Sequence, residues 1–295
     1  MYLPVKMNRE VMGTIQINLI PDMVRIMRRE LEEIGYKVNI PDDRELMMYY
    51  FATCKRIVKA IPRTVHVAND LFVPESRRAG YDALIEKFEK GESVMQHMSK
   101  QIRGLKFQDK MLFDWGIHHF HLDTTIEADG FVKQHDEIVY AIVDNSDVYV
   151  IAIMKHEHWA DKNLLEVVLV NWPHLLEPYR ITGKPVMDFD SKGVEKLREA
   201  NVNTILTLSD GRGYMGRGMG ITSAGTSSDA VLEMIRMQKE LSKIEVGIKK
   251  KFIPKDNDHL LFGLSRTPEG IFLEEPHIGY VNQIFNFASL KRKLS

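Results

Sequence analysis

The feature that most constrains this chain is a pair of apolar segments, EIVYAIV at 137–143 and DVYVIAIM at 147–154, separated only by Asp144-Asn145-Ser146. β-Branched and aromatic side chains favour extended backbone, and a cluster of Asp, Asn and Ser between two such runs signals a tight turn, so the spacing predicts a hairpin. Both segments are apolar at consecutive rather than alternate positions. A strand with one face in water alternates, whereas one apolar on both sides must be covered on both. IHHFHL (117–122) predicts a third strand. Leu164–Asn171, capped by Asp161 or Asn163 and ended before Pro173, predicts a helix packed beside them.

The flanking thirds read differently. Residues 1–104 are expected to form a helical region suited to binding a protein regulator or partner. Met23, Met27, Leu31 and Ile34 recur at helical spacing after Pro21-Asp22, and Gly35 ends the run. A second helix is predicted from Pro41-Asp42-Asp43 to Ile61, an extended segment at Thr64–Val73, and further helix from Arg77 to Arg103. Residues 105–175 form the β-rich region, and 176–295 an α/β region. That last region carries a helix near Gly193–Ala200, strands at 203–208, 259–264 and 270–275, a glycine-rich loop at 211–220 and a long helix reaching Lys249. The expected fold class is α+β, with a small antiparallel central sheet.

Composition excludes several classes. With 40 Lys+Arg against 41 Asp+Glu, the chain lacks the overall basic footprint of a dedicated nucleic-acid binder, although a local patch remains open. At 44% hydrophobic residues it is not a disordered polypeptide. The single cysteine, Cys54, cannot close an internal disulfide; its register with Leu46, Tyr50, Ile57 and Ile61 predicts a core position. No apolar run approaches the roughly 20 residues of a membrane span. The opening MYLPVKMNREVMG lacks the apolar stretch of a signal peptide, so a cytoplasmic, non-membrane protein is expected.

Histidine carries the chemistry. Six of the eleven histidines lie between 118 and 158: His118, His119, His121, His135, His156 and His158. Strand alternation places His119 and His121 on one face, with Phe120 and Leu122 on the other, core face, where His118 is also expected. His156 and His158 follow the third predicted strand. Imidazole titrates near pH 6.5, so a converging pair can supply one base and one acid, enough to cleave RNA through its own 2′-hydroxyl without a metal. His121 and His156 are the acid–base candidates, supported by His119, His158 and Asp136, with Lys155 positioned to stabilise developing phosphate charge. A second reading, ranked behind the metal-free one, takes His119, His121, His156 and His158 as ligands for a divalent metal in a phosphodiesterase or nuclease. A third reading is a non-catalytic binding protein whose histidines pack or sense pH. Arg212 and Arg217 in the glycine-rich loop, and Lys249 and Lys250 at the end of the long helix, are candidate RNA or phosphate contacts. GRGYMG formally fits GxGxxG, but the helix follows too late for a dinucleotide site.

Residues 113–162, from the DWGIHHFHL run through DEIVYAIVDNSDVYVIAIMKHEHWAD, resemble the sheet region of RelE/ParE-type bacterial toxins, in particular their histidine-rich YafQ branch. The resemblance implies a metal-independent mRNA endonuclease of toxin or defence type, with its active residues on a sheet face and no cofactor. By position it implies His121 or His119 as the first histidine, Asp136 as the acid and His156 or His158 as the terminal histidine. The segment Asp123–Asp136 is longer than the corresponding connection in those toxins.

Overall fold

The computed structural model describes residues 13–156, 160–183, 189–254 and 258–286. In chain order its strands and α-helices begin with β1 (Thr14–Ile17), α1 (Leu19–Glu33), α2 (Asp43–Arg56), β2 (Thr64–Val67), α3 (Arg78–Lys90) and α4 (Lys110–Trp115). Next come β3 (His118–His121), β4 (Glu137–Val143), β5 (Asp147–Lys155), α5 (Asn163–Asn171), α6 (Ser191–Glu199), β6 (Leu206–Thr207) and β7 (Gly213–Tyr214). The chain closes with α7 (Ser228–Lys251), β8 (His259–Thr267), β9 (Gly270–Glu275) and β10 (Tyr280–Asn286). The protein is a mixed α+β fold, and none of its described helices is long and apolar enough to cross a membrane.

It divides into two compact units: one takes the described residues up to Tyr50 and from Glu233 onward, the other Phe51–Leu232. The three regions drawn from the sequence, with boundaries near 105 and 175, do not coincide with these units. The reason is pairing between distant segments. β1 lies parallel to β8, Thr14 opposite His259, in a sheet of order β1-β8-β9-β10. α1 packs against β8 of this sheet, and its Leu19, Met23, Val24, Met27 and Leu31 are buried. The N-terminal third is not all-helical either. β1 joins the sheet just described, and β2 joins the central sheet. Only Thr64–Val67 of the expected extended segment is strand, and Cys54 is half-buried rather than core.

The central sheet has the order β2-β5-β4-β3. β3, β4 and β5 are antiparallel neighbours as the hairpin signal required, while β2 adds to the edge of β5 in parallel, making the sheet mixed. Helices cover both faces. On one, Ile138, Tyr140, Ile142, Tyr149 and Ile151 pack against Met111 and Trp115 of α4, Leu164, Leu165 and Val168 of α5, and Val194 of α6. On the other, Phe120, Val139, Ala141, Val148 and Val150 meet Tyr81, Leu84 and Phe88 of α3. Each side chain so enclosed contributes about 1.5–3 kcal/mol relative to exposure. The continuous apolar pattern of β4 and β5 is explained by this two-sided cover.

The strand register contains one irregularity. Glu137 to Tyr140 pair with Lys155 to Ala152, but Ala141 pairs with Val150, leaving Ile151 as the extra residue of a β-bulge. A bulge reverses the alternation of the strand that carries it. Tyr149 and Ile151 face the α5 side before it; Ala152 and Met154 face that same side after it.

The glycine-rich loop is a packing device, not a phosphate cradle. The amides of Gly218 and Gly220 donate to the carbonyls of Asp114 and Phe113 at 2.8 and 2.9 Å, closing the exposed end of α4. A Cβ on Gly216 would lie 2.1 Å from the Asp114 carbonyl oxygen, and one on Gly218 2.3 Å from that of Leu112. Asp114 also pairs with the buried Arg198 guanidinium at 2.9 Å, which lies over the Trp115 ring. Gly216→Ala and Gly218→Ala should each lower the unfolding free energy by about 1–3 kcal/mol, because backbone cannot yield as a side-chain tip can. Gly247→Ala, inside α7 with nothing within 4 Å, should leave stability unchanged or raise it by up to about 1 kcal/mol. Urea titrations followed by circular dichroism read both.

Candidate metal centre

β3 and β5 run in the same direction on either side of β4, so the C-terminal ends of both and the start of β4 lie along one edge of the sheet. His119 pairs with Tyr140 and His121 with Ile138, placing both imidazoles on the face that carries Met154. His156 is the first residue beyond β5 and, after the bulge, shares the direction of Met154. Unbroken alternation from Tyr149 would have put it on the other face. The three rings meet there. Centroids lie 6.1 Å apart for His119 and His121, 5.8 Å for His119 and His156, and 5.7 Å for His121 and His156. One nitrogen from each falls within 4.8 Å of the other two.

The cluster is withdrawn from water: His119 is 6% and His121 2% exposed, with His156 half-buried. Neither ring nitrogen of His121 has a hydrogen-bond partner among the described residues. Leaving such a group unsatisfied costs about 1–3 kcal/mol. Burial holds His119 down at about 3, helped by the neighbouring His156 charge, and holds His121 at about 3 for the same reason with His119 and His156 adding to it. His156 is also lowered by burial, against an opposing pull from Asp136. At neutral pH all three are uncharged, the state in which imidazole donates a lone pair to a metal ion.

The surroundings fix the strand end. The His97 ring, buried and unremarked in the sequence, donates from Nδ1 to the His121 carbonyl at 3.0 Å. Asp123, just past β3, accepts from His135 at 2.7 Å, so His135 is tied down rather than solvated. Asp109, the N-cap of α4, accepts from the Leu112 amide through Oδ1, and its Oδ2 lies 3.7 Å from His119 Nδ1. An Asp three residues before Leu112 reads as a helix cap; nothing local in the sequence places it behind a histidine.

The remaining sequence candidates divide. His158 lies outside the described residues. Asp136 is exposed, opposite His156 in the continued register. Lys155 is exposed beside the cluster, and its carbonyl accepts from the Tyr140 hydroxyl at 3.1 Å. Arg217 is committed to Asp144 by contacts of 2.6 and 2.7 Å at the β4–β5 turn. That turn lies at the opposite end of the nine-residue β5, roughly 30 Å of strand away. Arg212 is exposed within 4.0 Å of Asp210, and Lys249 and Lys250 are exposed on the unit that does not contain the histidines. His118, on the opposite face from the cluster, packs against Phe120 at 5.9 Å, as a structural histidine.

No protein-family model, curated protein or solved structure matches this chain.

The depressed imidazoles make stability pH-dependent with a defined sign. His118, His119 and His121 titrate near 3 when folded and near 6.5 when unfolded, so between those values the unfolded chain binds more protons. Stability therefore falls as pH drops from about 6.5 toward 3. Asp109, raised to about 6 by burial against the Leu112 amide and the Arg56 and Arg198 charges, opposes this between about 6 and 3.8, as does Asp114, also raised by burial, but two carboxylates are outnumbered by five lowered imidazoles, His97 and His156 among them. With a chelator present, urea midpoints should decline steadily from pH 7 to pH 4, and His118→Phe should flatten that decline.

Proposed function

We propose that His119, His121 and His156 hold a divalent metal ion and that the protein is a metal-dependent hydrolase acting on phosphodiesters. The observation that carries this is the convergence of three uncharged imidazoles with ligand nitrogens within 4.8 Å of one another. Zinc–imidazole bonds are about 2.0–2.1 Å, which puts two ligands of a tetrahedral ion about 3.3 Å apart; small rotations about the side-chain bonds close the difference. Three neutral nitrogen ligands leave the full double charge of the ion uncancelled and one position for water. Such an ion brings the pKa of its bound water toward 7 and attracts an anionic substrate.

A metal-free mechanism asks the same residues for something they supply poorly. Cleavage of RNA by acid–base chemistry needs an imidazolium at neutral pH to protonate the leaving oxygen. Burial holds His119 and His121 near 3, so neither carries that proton. The half-buried His156 has a carboxylate, Asp136, whose charge favours protonation, against the burial that lowers it.

Metal-stripped protein should bind one Zn²⁺ per chain by titration calorimetry. It should cleave RNA or bis(p-nitrophenyl) phosphate only after Zn²⁺ or Mn²⁺ is restored. His121→Ala and His156→Ala should each weaken binding by about 100-fold or more, since even outer partners of a ligand are worth 10–100-fold. Cyclic-phosphate products formed in excess EDTA would overturn the metal mechanism and restore the toxin-like one. Tight metal binding without turnover would overturn the hydrolase.

A further inference from the structure

We infer that Asp109 is the positioning residue of this centre: it accepts a hydrogen bond from Nδ1–H of His119 and thereby turns Nε2 of that ring toward the ion. The inference rests on the metal reading and adds to it a residue outside the histidine cluster. A helix cap needs an acceptor oxygen but no charge; Asn or Ser caps as well as Asp. A carboxylate with a side chain only 12% exposed is costly to bury unless its charge is used.

The charges of Arg56 and Arg198 act on the Asp109 carboxyl and favour its ionised form. Arg56 donates to the carbonyls of Gly104, Leu105 and Phe107 and to the Thr53 hydroxyl, and Arg198 is paired with Asp114. Of the three histidines, His119 is the one paired with Asp109, its Nδ1 3.7 Å from Oδ2. This is under 1 Å beyond hydrogen-bond length. An ion bound at Nε2 draws electron density from the ring, makes Nδ1–H a stronger donor and favours closing that gap. A carboxylate behind a ligating histidine fixes its tautomer and orientation and raises its basicity.

The fold holds Asp109 rigidly on both sides. The Arg56 fork anchors the backbone immediately before it. The glycine-rich loop anchors the far end of the helix that Asp109 caps. His119, Asp109 and His118 also line a small cavity with Arg56, Met98 and Phe107.

Co²⁺ titration of the full chain, read by its visible d–d bands, tests this. Asp109→Asn keeps the cap, so its unfolding midpoint should match wild type, while Co²⁺ affinity falls about 10–100-fold and the bands shift. Asp109→Ala should lose both the cap and the affinity. Independently of any variant, ¹⁵N ring shifts of Zn²⁺-loaded wild type should show His119 bound through Nε2 with a protonated Nδ1. Wild-type Co²⁺ affinity and spectrum in Asp109→Asn, or a His119 bound through Nδ1, would overturn the inference while leaving the metal centre standing. Failure of the wild-type chain to bind Co²⁺ would overturn both.

Discussion

The hydrogen-bonded ladder of β5, β4 and β3 is the constraint on which the site depends. It is antiparallel twice over, so β3 and β5 end at the same edge although 34 positions separate the ends of their described strands. Pairing alone does not bring the imidazoles together, because alternation must also agree across three strands. The bulge at Ile151 makes it agree, turning the residues after it onto the face that His119 and His121 occupy. One unpaired residue in mid-strand thus decides whether His156 joins the cluster or points into the opposite layer.

Desolvation sets the chemistry of what is assembled. A histidine in water near neutral pH divides between two protonation states and can serve as acid, base or ligand. Enclosed beneath α4 and α5 and beside one another, these rings are held neutral both by lost hydration and by the cost of charging neighbours. Neutral rings offer lone pairs, and one nitrogen of each lies within 4.8 Å of the others. The buried nitrogens of His121, without hydrogen-bond partners among the described residues, are stability spent at a single point. Such concentrated cost is characteristic of sites kept for function.

Support for the cluster comes from parts of the chain that seemed to carry chemistry of their own. The glycine-rich loop resembles a nucleotide motif in composition, yet its glycines are required by contact with backbone at the end of α4. Its Arg217 pins the distant β4–β5 turn. By holding α4, the loop also holds the Asp109 cap behind His119. Cations and glycines gathered in one segment suggested phosphate; in three dimensions they organise a short helix.

The sequence by itself determined the β3–β4–β5 meander, the cover on both its faces, most of the helices and the three histidines that converge. Each of these is written in local pattern: unbroken apolar strands, an Asp-Asn-Ser turn, helical spacing, a histidine pair at period two. Tertiary structure decided what local pattern cannot carry. Pairing of β1 with β8, and of β2 with β5, depends on segments 245 and 83 residues apart, for which a four-residue strand holds no address. The bulge depends on register between two strands whose apolar residues would fit either phase. The approach of Asp109 to His119 depends on how a helix is seated, and burial of the rings on what covers them. Short-range preferences choose the elements; the free energy of packing them together chooses which side chains meet.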